Sequence, residues 1–149
     1  MKTVLSATLI CGAFLTGAFA AGDSEKKVKM QNLPPAVQQA VKEHSQGATL
    51  RGLAKEVENG KTLYEAELIT GGHSKDITFD PEGKVVSVEE EVALGSIPTG
   101  AREALQKSKG KLLKLESVTE NGVTAYEGHF RKGLKTSELK VDSNGNPVK

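Results

Sequence analysis

Glu58-Asn59-Gly60-Lys61-Thr62-Leu63-Tyr64-Glu65-Ala66-Glu67-Leu68-Ile69-Thr70-Gly71-Gly72 is the stretch on which the fold turns. Its Asn-Gly pair suits a type I′ turn, which requires positive φ at both central residues. Between the turns Tyr64, Ala66 and Leu68 alternate with Glu65, Glu67 and Ile69, the period of a strand with one face inward. Gly71-Gly72 supplies a second tight turn. One strand held between two such turns predicts an antiparallel meander.

Downstream, Ile77 and Phe79 continue the inward face, and Asp80-Pro81-Glu82-Gly83 marks a third turn. Upstream, Pro34 and Pro35 suit the first turn of a helix, where a missing amide donor costs nothing. Val37, Ala40, Val41 and His44 then fall on one helical face. Much of this order returns at an offset of 62: Glu120-Asn121-Gly122, Tyr126-Glu127 and Asp142-Ser143-Asn144-Gly145 answer Glu58-Asn59-Gly60, Tyr64-Glu65 and Asp80–Gly83. Upstream of these, at an offset of 64, Ile97-Pro98 answers Leu33-Pro34, and Ala104-Leu105 answers Ala40-Val41. Leu33 and Ile97, just outside each helix, are placed as hydrophobic staples. The expectation is an α+β fold of two tandem repeats, residues 32–92 and 93–149, each a short helix packed on an antiparallel meander of about four strands. Gly133 marks a turn in the second copy, Leu139 and Val141 continue its inward face, and Pro147 belongs on an edge strand.

The N-terminus reads as a signal peptide over residues 1–20. Lys2 is followed by an apolar run from Val4 to Phe19, and Ala18-Phe19-Ala20 is a small-x-small cleavage site. Residues 21–31 are charged and poor in apolar side chains, a disordered lead-in. The expected location is periplasmic or secreted, with no membrane insertion after cleavage. Cys11, the one cysteine, leaves with the signal, so the mature chain depends on burial rather than disulfides; a chain of about 130 residues buries roughly two thirds of its surface.

The mature chain balances 19 basic against 19 acidic residues, which argues against nucleic-acid binding. Leu33–Val92 holds 6 basic and 11 acidic residues and Ala93–Lys149 holds 10 and 6, an asymmetry of two solvated surfaces. Catalysis finds little support: there is no cysteine and no Gly-x-Ser-x-Gly elbow, and His73 and Ser74, as strand neighbours, point to opposite faces. The reading is no enzyme, no cofactor and no metal. His44, His73 and His129 have no metal-ligand spacing. Glu89-Glu90-Glu91 reads as a solvated strand end, and Asp80–Gly83 and Asp142–Gly145 as turns rather than calcium loops. With Tyr64 and Tyr126 facing the helices, Glu65, Glu67, Glu127 and His129 project from the face that a single helix layer leaves uncovered. That face is the candidate partner-binding surface.

Leu33-Pro34, a short helix, Tyr64-Glu65-Ala66-Glu67, Asp76-Ile77-Thr78-Phe79-Asp80 and Gly83-Lys84-Val85-Val86 resemble the PepSY-like family, also described as β-lactamase-inhibitor-like. The resemblance covers nearly all of the mature chain and implies a periplasmic or secreted non-enzymatic module, in some relatives an inhibitor of extracellular enzymes. Aromatic residues make up 4% of the chain and Trp is absent, so the resemblance carries fold further than activity. The expected function is a binding or inhibitory module recognising an envelope or extracellular protein or peptide through its open sheet face. The alternative is a periplasmic metal- or small-ligand-binding protein.

Overall fold

The computed structural model describes residues 24–58 and 60–148; the signal peptide expected at residues 1–20 lies outside the described residues. The chain runs β1 (Ser24–Lys27), a single 3₁₀ turn, α1 (Pro35–His44), β2 (Thr49–Glu58), β3 (Lys61–Thr70), β4 (His73–Phe79) and β5 (Val85–Glu91). A second 3₁₀ turn then leads to α2 (Thr99–Gln106), β6 (Lys111–Glu120), β7 (Val123–Lys132) and β8 (Lys135–Val141). All eight strands form one sheet in chain order, each antiparallel to the next.

This overturns the expected α+β pair of helix-plus-meander repeats. Among the described residues the protein is mainly β, one open sheet carrying two short helices, because β5 pairs with β6 from Ser87↔Glu120 to Glu91↔Glu116. Left as an edge, β5 would present unpaired backbone donors and acceptors. The segment containing α2 returns the chain antiparallel to it and β6 satisfies those groups. Four strands follow α1 and three follow α2. The disordered lead-in is also corrected: Ser24–Lys27 pairs with β2 from Ser24↔Val57 to Lys27↔Ala54. An edge strand is held by backbone hydrogen bonds, so its poverty in apolar residues is no obstacle.

Both helices lie on one face. Leu53, Ala66, Ile77, Val88 and Thr119 are successive register partners across β2 to β6, and this row belongs to the helix side. Under α1, Val37, Ala40 and Val41 pack with Leu53, Ala66, Leu68, Ile77 and Phe79, and Leu33 is buried beside them. Under α2, Ala101 and Leu105 pack with Ile97, Leu115, Phe130 and Val141. Helices of 10 and 8 residues are too short to persist alone, so this burial, about 1.5–3 kcal/mol for each large apolar side chain, is what forms them.

The turns follow the chemistry of their residues. Asn121 and Gly122 take φ of 51° and 78°, as a type I′ hairpin requires. Asp80 Oδ1 accepts from the amides of Glu82 and Lys84 at 3.1 and 2.9 Å, and Asp142 Oδ1 accepts from those of Asn144 and Asn146, both at 2.9 Å. These carboxylates close their own turns. Gly83, at φ 80°, lies against α1, where a Cβ would stand 2.7 Å from the Ala36 carbonyl oxygen. Pro147 forms an isolated bridge to Val141 beyond the last strand.

Candidate functional site

Among the described residues no helix packs on the second face of the sheet, and register alone assembles its side chains. One row runs Gly52, Glu67, Asp76, Glu89, Val118, Ala125 across β2 to β7. The next runs Ile69, Ser74 on β3 and β4, then Glu91, Glu116, Glu127, Lys140 on β5 to β8. On the other side lie Glu65, Thr78, Ser87 and Glu120. A bulge between Leu112 and Lys114 returns Leu112 to the second core and sends Lys114 to this face opposite His129.

The half of the face near β6 to β8 is an ion-pair network. Lys114 Nζ lies 2.7 Å from Glu116 Oε1. His129 Nε2 stands 3.2 Å from Glu116 Oε2 and 3.6 Å from Glu127 Oε1, while its Nδ1 faces Glu138 Oε1 at 3.3 Å. Lys140 reaches Glu120 at 3.7 Å and Glu127 at 4.0 Å. Burial alone would raise Glu116, but His129 and Lys114 outweigh it and hold the carboxyl below its ordinary value. The hydrogen bond to Glu116 raises His129 against the effect of burial, helped by the charges of Glu127, Glu116 and Glu138. Burial raises Glu127 against the pull of His129 and Lys140. Glu127, His129 and Glu138 bring one ligand-type atom each within 4.8 Å of one another.

The half near β3 to β5 is different. Asp76 and Glu89 face each other across β4 and β5 and are 8% and 5% exposed. No hydrogen bond or ion pair reaches either carboxylate among the described residues. Burial, with repulsion from Glu116, Glu127 and Asp76 outweighing Lys140, pushes Glu89 up to about 8. Burial also pushes Asp76 up to about 6, where Lys114 pulls it down and Glu116, Glu67 and Glu56 push it further. Ser87 Oγ, on a residue 2% exposed on the same face, has no hydrogen-bond partner.

All four residues singled out from the sequence stand on this face, but only Glu127 and His129 come together. Glu65 is 4% exposed rather than projecting freely. Glu67 leans over Gly52, where an added Cβ would meet its Oε2 at 2.8 Å. Glu89-Glu90-Glu91 is not a solvated strand end: Glu89 is buried, Glu90 pairs with Lys75 at 3.4 Å on the helix side, and Glu91 accepts from Ser74. Sequence reasoning missed Asp76, Glu89, Glu116, Lys114, Glu138 and Lys140. Their signal was alternation against Ile77, Val88 and Leu115, which identifies the face but not the neighbours across strands.

No family model matches the sequence, and no curated protein matches it either. Solved structures match over most of the chain. One is a BLIP-like protein of Bacteroides fragilis, 20% identical with a TM-score of 0.58, covering 78% of this chain and 84% of its own. This chain shares its fold. A protein of Bacteroides eggerthii described as periplasmic matches at 18% identity and a TM-score of 0.66, covering 78% of this chain and 86% of its own. A DUF2874 family protein of Bacteroides ovatus matches at 17% and 0.62, covering 79% and 86%. At these identities the likeness is one of fold. The β-lactamase-inhibitor-like part of the expected resemblance is supported at that level; the PepSY-like and two-repeat parts gain no support from it.

Proposed function

We propose that this is an exported, non-enzymatic binding protein that recognises another protein through the uncovered face of its sheet. The observation that carries the reading is the asymmetry of the two faces. One is closed by α1 and α2 over apolar cores, while the other gathers Asp76, Glu89, Glu116, Glu127 and His129 with no helix above them among the described residues. Carboxylates are costly to bury unless something compensates them; Glu116 and Glu127 have Lys114, His129 and Lys140, and for Asp76 and Glu89 a partner's surface would supply the compensation. The signal-like N-terminus and the fold shared with proteins described as BLIP-like and as periplasmic support export. Among the described residues no helix is long and apolar enough to cross a membrane.

Metal or small-ligand binding has one cluster in its favour, Glu127, His129 and Glu138. Both ring nitrogens of His129 already face carboxylates there, and Lys114 and Lys140 supply compensating charge, so protein recognition is the better reading.

The test is site-specific photo-crosslinking in cells that export the protein. A photoreactive residue is placed at Ile69 or Glu138 on the uncovered face, or at Gln39 or Glu43 on the exposed side of α1. Adducts to one common partner from the sheet positions and not from α1 are expected. Adducts from α1 alone would overturn the reading.

A further inference from the structure

The uncovered face is electrostatically divided. Around His129 every carboxylate has a cation within 4 Å, from Lys114, Lys140 or the imidazole itself. Around Glu89 none does among the described residues. Glu67, Asp76 and Glu89 are successive register partners on β3, β4 and β5, and like charges directly opposite in a sheet are destabilising. Asp76 and Glu89 are 8% and 5% exposed and make no hydrogen bond or ion pair among the described residues, while their carboxylate oxygens keep contact with solvent. Independently, Ser87 Oγ, two residues from Glu89 on the same face, is buried without a partner. A hydroxyl with unused hydrogen-bonding capacity near two carboxyl groups that no described cation pairs leaves a patch rich in acceptors and without a positive charge within 4 Å.

We propose that this patch receives an arginine side chain from a loop of the partner protein, its guanidinium set between Asp76 and Glu89 with Ser87 Oγ as a further acceptor.

The inference rests on the reading of the uncovered face as a recognition surface and names what that surface recognises. A bare metal ion fits less well. Neighbouring strands stand about 4.8 Å apart, so three carboxylates on three strands spread over about 10 Å, whereas an ion draws its oxygen ligands to about 2.0–2.6 Å. The group whose ligand-type atoms do converge within 4.8 Å is Glu127, His129 and Glu138 instead. A guanidinium is planar, offers five donors in a fork, and matches spread carboxylates better than an ammonium does.

The experiment is an amide chemical-shift titration of residues 21–149 with the peptide acetyl-Gly-Arg-Gly-amide. Its citrulline counterpart, which keeps the shape and loses the charge, is the control. Saturable shifts at Asp76, Thr78, Ser87 and Glu89 with the arginine peptide are expected, absent with citrulline and weakened at least tenfold in Asp76→Asn/Glu89→Gln. Circular dichroism confirms that the variant is folded, and Glu89→Gln alone serves if the double variant is not. Shifts located elsewhere, equal binding by citrulline, undiminished binding by the variant, or the same shifts induced more tightly by calcium ion would each overturn the proposal. If crosslinking from Ile69 and Glu138 persists unchanged in Asp76→Asn/Glu89→Gln, recognition by the face stands and the arginine inference fails.

Discussion

Replacing Glu89 by Gln should stabilise the protein, and the gain should grow with pH. Burial and the surrounding carboxylates lift Glu89 from 4.5 to about 8, so the folded state holds a proton that the unfolded chain has released. Between those values the native state binds more protons than the unfolded state, and stability falls as pH rises. The shift corresponds to about 5 kcal/mol once pH exceeds 8 and about 3 kcal/mol at pH 7. Asp76, Glu116 and Glu127 respond to the same ionisation, so about half of this should be recovered by Glu89→Gln, some 2–3 kcal/mol at pH 9. At pH 5, where the native carboxyl is neutral and the unfolded one only partly ionised, the difference should shrink to about 0.4 kcal/mol. Urea unfolding of both proteins at pH 5, 7 and 9 measures it, with an unchanged slope confirming that only stability moved. A variant no more stable than the parent at pH 9 would show that Glu89 is compensated in the folded chain, and the account of the acidic patch would fall with it.

His129→Gln should act in the opposite sense. Contacts with Glu116, Glu127 and Glu138 raise His129 above 6.5, so its contribution is complete below 6.5 and lost as pH rises through the raised value. A loss of about 1–2 kcal/mol at pH 6, shrinking at pH 9, is expected in the same urea titrations. Gly83→Ala should lower the melting temperature by about 10 °C, since φ is 80° and the new Cβ would lie 2.7 Å from the Ala36 carbonyl oxygen; calorimetry checks it.

Much of the architecture was legible because it rests on local chemistry. Asn121-Gly122 can hardly do other than turn, and Pro34-Pro35 followed by Val37, Ala40 and Val41 can bury one stripe only as a helix. The alternation of Tyr64, Ala66 and Leu68 with Glu65 and Glu67 placed the acidic side chains on the second face. The number of sheets was not legible, since whether β5 ends as an edge or accepts β6 depends on where α2 returns the chain. Burial on the second face was hidden for the same reason. Glu89 reads like Glu90 and Glu91 in the sequence, yet one is buried and the others touch Lys75 and Ser74.

The sequence by itself therefore determined the turns, the helices, which residues share a face and that one face would be acidic, because each depends on dihedral preference or on a period of two or 3.6 residues. Only the tertiary structure decided that eight strands form one sheet, that His129 is shared by three carboxylates, and that Asp76 and Glu89 face each other with no ion pair within 4 Å among the described residues. Those outcomes are set by register between strands distant in sequence, and cross-strand distance, unlike periodicity, leaves no mark on either strand alone.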